Sequence, residues 1–322
     1  MKPVVFPPMP PQFVACSGRA FYRITPKALE VFEASAEIPP PQLRGSATAN
    51  QMARIAIDEA SNLIPIADRG VLVIAKEGVF RYDKGRKQAR ARAPIPAPAP
   101  LFAWADSKNI GDFWVRSRGE HSVRRYALAA LAPSGSSPVG PATNAGTLHE
   151  LAAFDGRLFS VLSNGTPVYS TSEGLMHGGQ APSALPVKLP APPKGTTLLF
   201  ADASPDRFWS ADSGGNLGLW DGKQNAPITT AHIPGGVIDA AHEGDRVAVL
   251  SMELSGRRHQ PVVTLFSNGR QEGQLRLGAS PASRPQPELD LCLLSGRPWV
   301  VVGGPRWMQL FDWSAPRLLA EW

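Results

Sequence analysis

The chain has little of what most catalytic and membrane-spanning proteins need. Its 322 residues include two cysteines, six histidines and four tyrosines. No two histidines stand in an HxH or HExxH spacing, and there is no nucleophile elbow, phosphate loop or CxxC pair. No apolar run approaches the roughly 18 residues that a transmembrane helix requires. From these absences we expect no catalytic residues, no bound metal, no cofactor and no membrane insertion.

The N-terminus also lacks the pattern of a secretory signal. MKPVVFPPMPPQF has a lysine but no continuous apolar stretch, because prolines interrupt it. We therefore expect a cytoplasmic protein, with a mature form already trimmed as the alternative. Two cysteines cannot form a disulfide framework. Cys16 and Cys292 fall on the first strands of copies one and seven, which a ring would make neighbours. We expect free buried thiols, with a disulfide as the alternative, since a bond requires Cα atoms within about 7 Å.

What the sequence does contain is a repeat. A turn followed by a short apolar strand occurs seven times, at intervals of 39 to 51 residues. The equivalent anchor positions are Arg19, Gly70, Asp112, Arg157, Arg207, Arg246 and Arg297. An aromatic residue closes the next strand at Phe32, Tyr82, Tyr126, Tyr169, Trp220, Phe266 and Phe311. A period of this size is typical of a repeat architecture built from one supersecondary unit.

The fifth copy shows the unit most plainly. TTLLFAD (196–202), RFWSAD (207–212), NLGLWDG (216–222) and APITTAHI (226–233) are four short apolar strands separated by turn residues. Four strands per unit predict an all-β fold, a single seven-bladed β-propeller of four-stranded antiparallel blades. The residues two after the anchors, including Phe21, Trp209 and Trp299, are predicted to form the layers between blades.

The predicted organisation follows from the repeat. A Pro-rich segment spans 1–11, and the propeller spans 12–322. Its blades are predicted at 12–42, 63–97, 101–140, 147–190, 196–233, 236–278 and 288–322. Residues 43–62 are interpreted as an insertion with a short helix from Asn50 to Ala60, because Met52, Ile55 and Ala56 would share one side of it.

Two propeller families have similar blades. NLGLWDG (216–222) resembles the third strand of WD-repeat blades, and SADSGGNLGLW (210–220) resembles quinoprotein-type blades. The Gly-His start typical of WD repeats is missing, and so is the regular tryptophan of a quinone-binding ring. The resemblance therefore implies the propeller and no particular activity.

Acidic residues are predicted to face the central channel. Seven residues before the anchors of copies four, six and seven stand Glu150, Asp239 and Asp290. Carboxylates that converge there are candidate ligands at the channel entry, for a hard cation such as Ca²⁺ or for a cationic peptide. The alternative is that they are ordinary polar residues of a wet channel.

Basic residues form the other candidate sites. A cluster on copies two and three comprises Arg81, Lys84, Arg86, Lys87, Arg90, Arg92, Arg116, Arg118, Arg124 and Arg125. A longer hairpin in copy six, LSGRRHQP, adds Arg257 and Arg258. With a net charge of +6, these residues favour an acidic protein or nucleic acid as the partner. A solvated strand edge is the structural alternative. The anchor arginines are interpreted chiefly as residues that serve the repeat itself.

The sequence therefore predicts a non-enzymatic protein-binding scaffold or a subunit of a larger complex. Two alternatives stay open. One is a propeller enzyme, a hydrolase or lyase that acts on a polymer through its channel carboxylates. The other is sugar or peptide binding at the channel mouth.

Overall fold

The computed structural model describes most of the repeat and parts of its connections. The described residues are 13–34, 49–66, 70–76, 78–86, 92–93, 100–105, 112–117, 122–127, 131–138, 152–154, 157–161, 167–171, 174–177, 196–201, 207–212, 214–221, 226–255, 258–277, 289–315 and 317–322. These residues form β-strands joined by turns, which confirms the predicted all-β class.

The strands form seven four-stranded antiparallel sheets, each built from four consecutive strands. Sheet one contains β1 (Val14–Ser17), β2 (Ala20–Thr25), β3 (Ala28–Ala34) and β4 (Ala49–Ala56), and sheet two contains β5 (Ala60–Ile66), β6 (Gly70–Ala75), β7 (Gly78–Asp83) and β8 (Arg92–Ala93). Sheet three contains β9 (Pro100–Ala105), β10 (Asp112–Ser117), β11 (Ser122–Ala127) and β12 (Ala132–Pro138), and sheet four contains β13 (Ala152–Phe154), β14 (Arg157–Val161), β15 (Pro167–Thr171) and β16 (Gly174–His177).

The remaining three sheets follow in the same way. Sheet five contains β17 (Thr196–Ala201), β18 (Arg207–Asp212), β19 (Asn216–Asp221) and β20 (Pro227–His232). Sheet six contains β21 (Val237–Glu243), β22 (Arg246–Ser255), β23 (Arg258–Ser267) and β24 (Arg270–Arg276), and sheet seven contains β25 (Asp290–Leu293), β26 (Trp299–Gly303), β27 (Met308–Asp312) and β28 (Arg317–Glu321).

Burial changes from the second strand to the fourth strand of a sheet. In β26, WVVVG is buried at every position, whereas β20, PITTAH, alternates half-buried with exposed residues. A strand that is covered on both faces has a continuous run of apolar residues. A strand with one solvated face alternates apolar and polar residues. The sheets are therefore covered on both faces near their middle and are partly exposed along their fourth strands.

The chain divides into two compact units. One unit contains sheets three to five, and the other contains sheets six, seven, one and two. In the second unit an apolar layer joins sheets seven and one, with Val14, Phe21, Trp299, Val301 and Leu310 among its members. Phe21 and Trp299 are fully buried there, as the repeat predicted. Burying side chains of this size contributes roughly 2–3 kcal/mol each.

The junction of sheets seven and one corrects the prediction of free thiols. Cys16 on β1 and Cys292 on β25 form a disulfide with a Cα–Cα distance of 5.6 Å. The first strands of sheets one and seven are neighbours, as a ring implies, and the two Cα atoms lie inside the limit of about 7 Å although 276 residues separate the cysteines. Arg23 adds a second link, donating from Nη1 to the backbone oxygen of Trp322 at 3.2 Å.

The predicted helix from Asn50 to Ala60 is also wrong. Ala49–Ala56 is β4, which pairs with β3 and completes sheet one. Ala53 and Ile55 are half-buried and Ile57 is buried, whereas the residues between them are exposed. This period of two is the signal of a strand. Part of the predicted insertion at 43–62 is therefore the fourth strand of the first repeat, and its end belongs to β5.

The unit of sheets three to five has its own buried residues. Trp209, Leu217 and Leu219 of sheet five are buried, with exposures of 1%, 1% and 3%. Trp209 is the predicted layer residue of this copy. Across the described ranges of the whole chain, no helix has the length and apolar character needed to cross a membrane.

Candidate functional site

Two of the three predicted channel carboxylates lie at one junction in the second unit. Asp239 is on β21 and Asp290 is on β25, the first strands of sheets six and seven. The backbone N–H of Leu291 donates to Asp239 Oδ2 and to Asp290 Oδ1, both at 2.9 Å. The N–H of Val14 on β1 donates to Asp290 Oδ2 at 3.2 Å. The pair therefore links the first strands of three sheets.

The electrostatics of this junction are those of a buried carboxyl pair. Asp290 is 1% exposed. Burial raises the pKa of Asp290 well above its usual range, and the charge of Asp239 and a hydrogen bond to its carboxyl raise it further. Two adjacent carboxylates cannot both ionise at low cost, which favours the protonated form of Asp290. The hydrogen bonds from Val14 and Leu291 oppose this shift only in part.

These contacts give the carboxyl pair a structural role. Its oxygens accept backbone N–H groups that would otherwise be buried without partners. Within the described ranges, no three His, Cys, Asp or Glu side chains are grouped as metal ligands would be. Glu150, the third predicted carboxylate, lies outside the described residues.

The basic cluster of copies two and three is described only in part. Arg86 is exposed, and its backbone oxygen accepts a hydrogen bond from the Tyr82 hydroxyl at 2.7 Å. Arg92, Arg116, Arg124 and Arg125 lie on β8, β10 and β11, where the structure describes the backbone. Lys87, Arg90 and Arg118 lie outside the described residues.

Neighbouring basic residues on sheet two are paired. Arg81 Nε lies 2.7 Å from Asp83 Oδ1, and Lys84 Nζ lies 3.5 Å from Glu33 Oε1. These partners reduce the local positive charge next to Arg86. The charge available to a partner is therefore smaller than the sequence cluster suggests.

Two of the anchor arginines serve the fold. Arg246 Nη1 donates to the backbone oxygen of Arg297 in the next sheet at 3.2 Å. The Arg297 guanidinium lies 5.4 Å from the ring centroid of Trp299, within the range of a cation–π contact. These contacts support the interpretation that the repeated arginine is part of the repeat.

The hairpin of sheet six extends past its neighbour. Strands β22 and β23 pair over ten positions, from Arg246↔Ser267 to Ser255↔Arg258. Strand β24 pairs only with Val262–Ser267 of β23. Residues 253–255 and 258–260 therefore project beyond β24, and the stretch 253–260 is here called the hairpin tip. The hairpin tip includes the predicted site residues Arg257, which lies outside the described residues, and Arg258, whose backbone begins β23.

The hairpin tip combines an anchored base with an exposed apolar residue. Gln260 Nε2 donates to the backbone oxygen of Leu277 at 3.2 Å, and Arg276 Nη2 lies 3.4 Å from Glu253 Oε2. Leu254 is 68% exposed, the largest exposure among the large hydrophobic residues that the structure describes as exposed. A leucine held this far from the core on a supported hairpin is available for contact with another molecule.

Sequence reasoning missed a cleft on sheet five. It is lined by residues of β18, β19 and β20, among them Asp212, Asn216, Trp220 and His232. The signal was present in the alternation of polar residues along PITTAH (227–232), whose exposed positions share one face. The lining residues Asp212, Asn216 and His232 stand apart in the sequence, so no linear motif contains all of them.

The comparisons with known proteins identify the fold. No protein-family model and no curated protein matches the chain. Hsv2 of Kluyveromyces marxianus is similar in structure over 98% of this chain and 97% of its own, with a TM-score of 0.58 and 11% identity. KlHsv2 with loop 6CD replaced by a Gly-Ser linker is similar over 97% and 93%, again with a TM-score of 0.58 and 11% identity. These likenesses indicate a β-propeller, and at this identity they concern the fold alone.

Proposed function

We propose that the chain is a single closed seven-bladed β-propeller that acts as a non-enzymatic protein-binding scaffold. Seven four-stranded sheets supply one blade each. The disulfide and the apolar layer between sheets seven and one support closure of the ring, because they join the first repeat to the last. A closed ring has no free sheet face at either end and holds its loops and hairpins rigidly.

The observation that carries the proposal is the hairpin tip. Leu254 exposes 68% of its surface on an element whose base is fixed by hydrogen bonds from Gln260 and to Pro261. Contact with a partner would remove this apolar surface from water, which contributes about 25 cal/mol per Å². Because the base of the hairpin is already fixed, binding would spend less conformational entropy there.

The partner that suits this tip is an acidic protein surface. Arg257, Arg258 and His259 follow Leu254 in the sequence, whereas Glu253 is the one acidic residue of residues 253–260 and is paired with Arg276. Two arginines that follow an apolar anchor closely in the sequence favour a partner with an apolar pocket and an acidic rim. Such binding weakens as salt increases.

Affinity purification from the native host tests the scaffold. The wild-type chain is expected to be recovered in a stoichiometric complex, with the molar ratio measured by light scattering. Leu254→Asp is expected to lose the partner, whereas Met52→Asp, at an exposed position of sheet one, keeps it. Equal recovery with both variants would exclude the hairpin tip as the binding element.

The basic cluster of copies two and three is a second contact surface in this proposal, for nucleic acid or an acidic protein. Fluorescence anisotropy with single- and double-stranded oligonucleotides at low salt tests the nucleic-acid version. The absence of binding below about 10 μM would exclude it, given typical non-specific affinities. Reversal of the charges at Arg124 and Arg125 would then test the acidic-protein version.

The enzyme alternative rests on the channel carboxylates. Asp290 is buried and accepts backbone hydrogen bonds, which favours structure over catalysis. Turnover of a glycan or a lactone from a substrate panel by the monomeric protein would support the enzyme alternative. Sugar or peptide binding at the channel mouth is the other alternative, and thermal shifts on ligand addition would support it.

The disulfide bears on the compartment in which the scaffold works. Disulfides persist in oxidising environments and are rare in the reducing cytosol. Cys16–Cys292 therefore favours an oxidising compartment over the cytoplasmic location expected from the N-terminus. Alkylation of free thiols in intact host cells tests this proposal: a chain that resists alkylation until reductant is added is oxidised where it works.

A further inference from the structure

The cleft on sheet five has the size and composition of a small-molecule site. Its volume is about 550 Å³, inside the roughly 300–1,000 Å³ range of ligand pockets in proteins. Asn216 pairs with His232, and Gly218 pairs with Thr230, across β19 and β20. Residues directly opposite each other in neighbouring strands lie on the same face of a sheet, so the cleft has an ordered polar lining.

One end of the cleft is a polar ledge. Asp212 Oδ1 accepts the backbone N–H of Asn216 at 2.8 Å, and Asp212 Oδ2 accepts Asn216 Nδ2 at 2.7 Å. Asn216 Oδ1 lies 3.4 Å from His232 Nδ1. The contact places Nε2, on the far side of the imidazole ring, away from Asn216. The backbone N–H of Gly214 also donates to Asp212, so about one of the roughly four lone-pair sites of the carboxylate remains for a further donor.

Asp212 stays ionised at neutral pH. Partial burial of the carboxyl raises its pKa, but hydrogen bonds from Asn216 and Gly214 and the nearby His232 outweigh that effect. The net result is a lowered pKa. The ledge therefore offers a carboxylate as an acceptor and an imidazole nitrogen whose role as donor or acceptor depends on its tautomer.

The floor of the cleft is apolar and fixed. The Trp220 indole lies over Gly218, since a Cβ added at Gly218 would stand 2.9 Å from Trp220 Nε1. The indole N–H donates to Ser210 Oγ at 2.8 Å, which fixes the ring. Pro227 lies in the same lining, and the exposed hydroxyl-bearing Thr230 borders it. A flat aromatic floor beside hydroxyl acceptors suits a ring that is apolar on one face and polar at its edge.

We propose that this cleft binds a neutral polyhydroxylated ring, of the size of a mono- or disaccharide. The ring would rest on Trp220 and Pro227, and adjacent hydroxyls would hydrogen-bond to Asp212 and His232. The Thr230 hydroxyl would bond a third group. This site lies on sheet five, apart from the hairpin tip and the channel carboxylates, and its test is separate from that of the scaffold.

The charge of the cleft selects against anions. Asp212 is the ionised group of the polar ledge, and like charges repel across a site of this size. A cationic amine could pair with Asp212, so an amino sugar is a separate arm of the test. A neutral ring with several hydroxyls uses Asp212, His232 and the Thr230 hydroxyl, since each hydroxyl is both a donor and an acceptor.

Saturation-transfer NMR and calorimetry on the full chain test the site. The probes are glucose, galactose, mannose and N-acetylglucosamine, with glucosamine and glucuronate as the cationic and anionic arms. We expect at least one neutral sugar to bind with a Kd in the millimolar range or tighter. Its ring protons are expected to receive saturation from the indole of Trp220.

Matched variants locate the binding. Thr230→Val removes a hydroxyl from the cleft and is expected to weaken binding about five-fold, as the loss of one hydrogen bond does. Thr229→Val, at the neighbouring position of the same strand, is expected to leave the Kd unchanged. His232→Ala is expected to weaken binding about ten-fold. Thermal melts of each variant confirm that it folds.

Three results would overturn the proposal. One is that no neutral sugar of the panel binds below 10 mM. Another is that a sugar binds Thr230→Val and His232→Ala as tightly as the wild type, which would place its site elsewhere. The third is that glucosamine or glucuronate binds more tightly than every neutral sugar, which would identify a charged ligand.

Discussion

Removal of the Cys16–Cys292 disulfide should destabilise the protein through its unfolded state. The bond closes a loop spanning 276 residues. The chain-entropy relation for a loop of this length gives about 5 to 6 kcal/mol at 25 °C. The unfolding entropy of a chain this long is roughly 0.7 kcal/mol per kelvin. The double variant Cys16→Ser/Cys292→Ser is therefore expected to melt about 7–8 °C below the wild type.

Differential scanning calorimetry with and without reductant measures this effect. Reductant should lower the melting temperature of the wild type to that of the double variant. It should leave the melting temperature of the double variant unchanged. The paired scans separate loss of the bond from loss of thiol packing. If the wild type and the variant melt together in the absence of reductant, the inference that sheets one and seven are covalently joined is refuted.

Three further predictions concern single residues. Because the raised pKa of Asp290 makes the native state retain a proton that the unfolded state releases, stability should fall as pH rises above about 4. Asp290→Asn keeps a hydrogen-bond donor and should flatten the dependence of stability on pH, measured by urea titrations at several pH values. A pH dependence unchanged from wild type would contradict this prediction. Trp209→Ala should cost about 3–5 kcal/mol in urea unfolding, and a loss under 1 kcal/mol would exclude its place in the core. Gly215→Ala should cost about 1–3 kcal/mol, because φ is +83° and a Cβ would stand 2.1 Å from the Ile233 oxygen. Gly214→Ala is its control, and equal losses would refute the backbone argument.

The sheets were predictable because the repeat is local. In the fifth copy the predicted strand at 207–212 coincides with β18 (Arg207–Asp212), and the predicted strand at 216–222 differs from β19 (Asn216–Asp221) by one residue. Turn residues mark both ends of such strands, so a single copy contains the needed information. Strand β4 was missed because a helical period placed Met52, Ile55 and Ala56 on one side, whereas the half-buried residues of the strand are Ala53 and Ile55.

The sites were less predictable because they depend on neighbours that are distant in sequence. Asp239 and Asp290 were singled out by position, but their hydrogen bonds to Leu291 and Val14 depend on how three sheets meet. The repeat implied that the strands of Cys16 and Cys292 are neighbours, but whether the two thiols come close enough to bond depends on the local geometry of that junction. The cleft of sheet five depends on cross-strand register, which places Asp212 and His232 at one ledge although 20 positions separate them.

Site-specific photo-crosslinking at the hairpin tip tests the scaffold proposal most directly. A photoreactive phenylalanine analogue replaces Leu254 in one form of the chain and Ile228, an exposed residue of sheet five, in another. The proposal predicts one crosslinked protein of fixed mass from position 254 in the native host, reduced by high salt, and none from position 228. The absence of a crosslink at 254, or the same products at both positions, would contradict it.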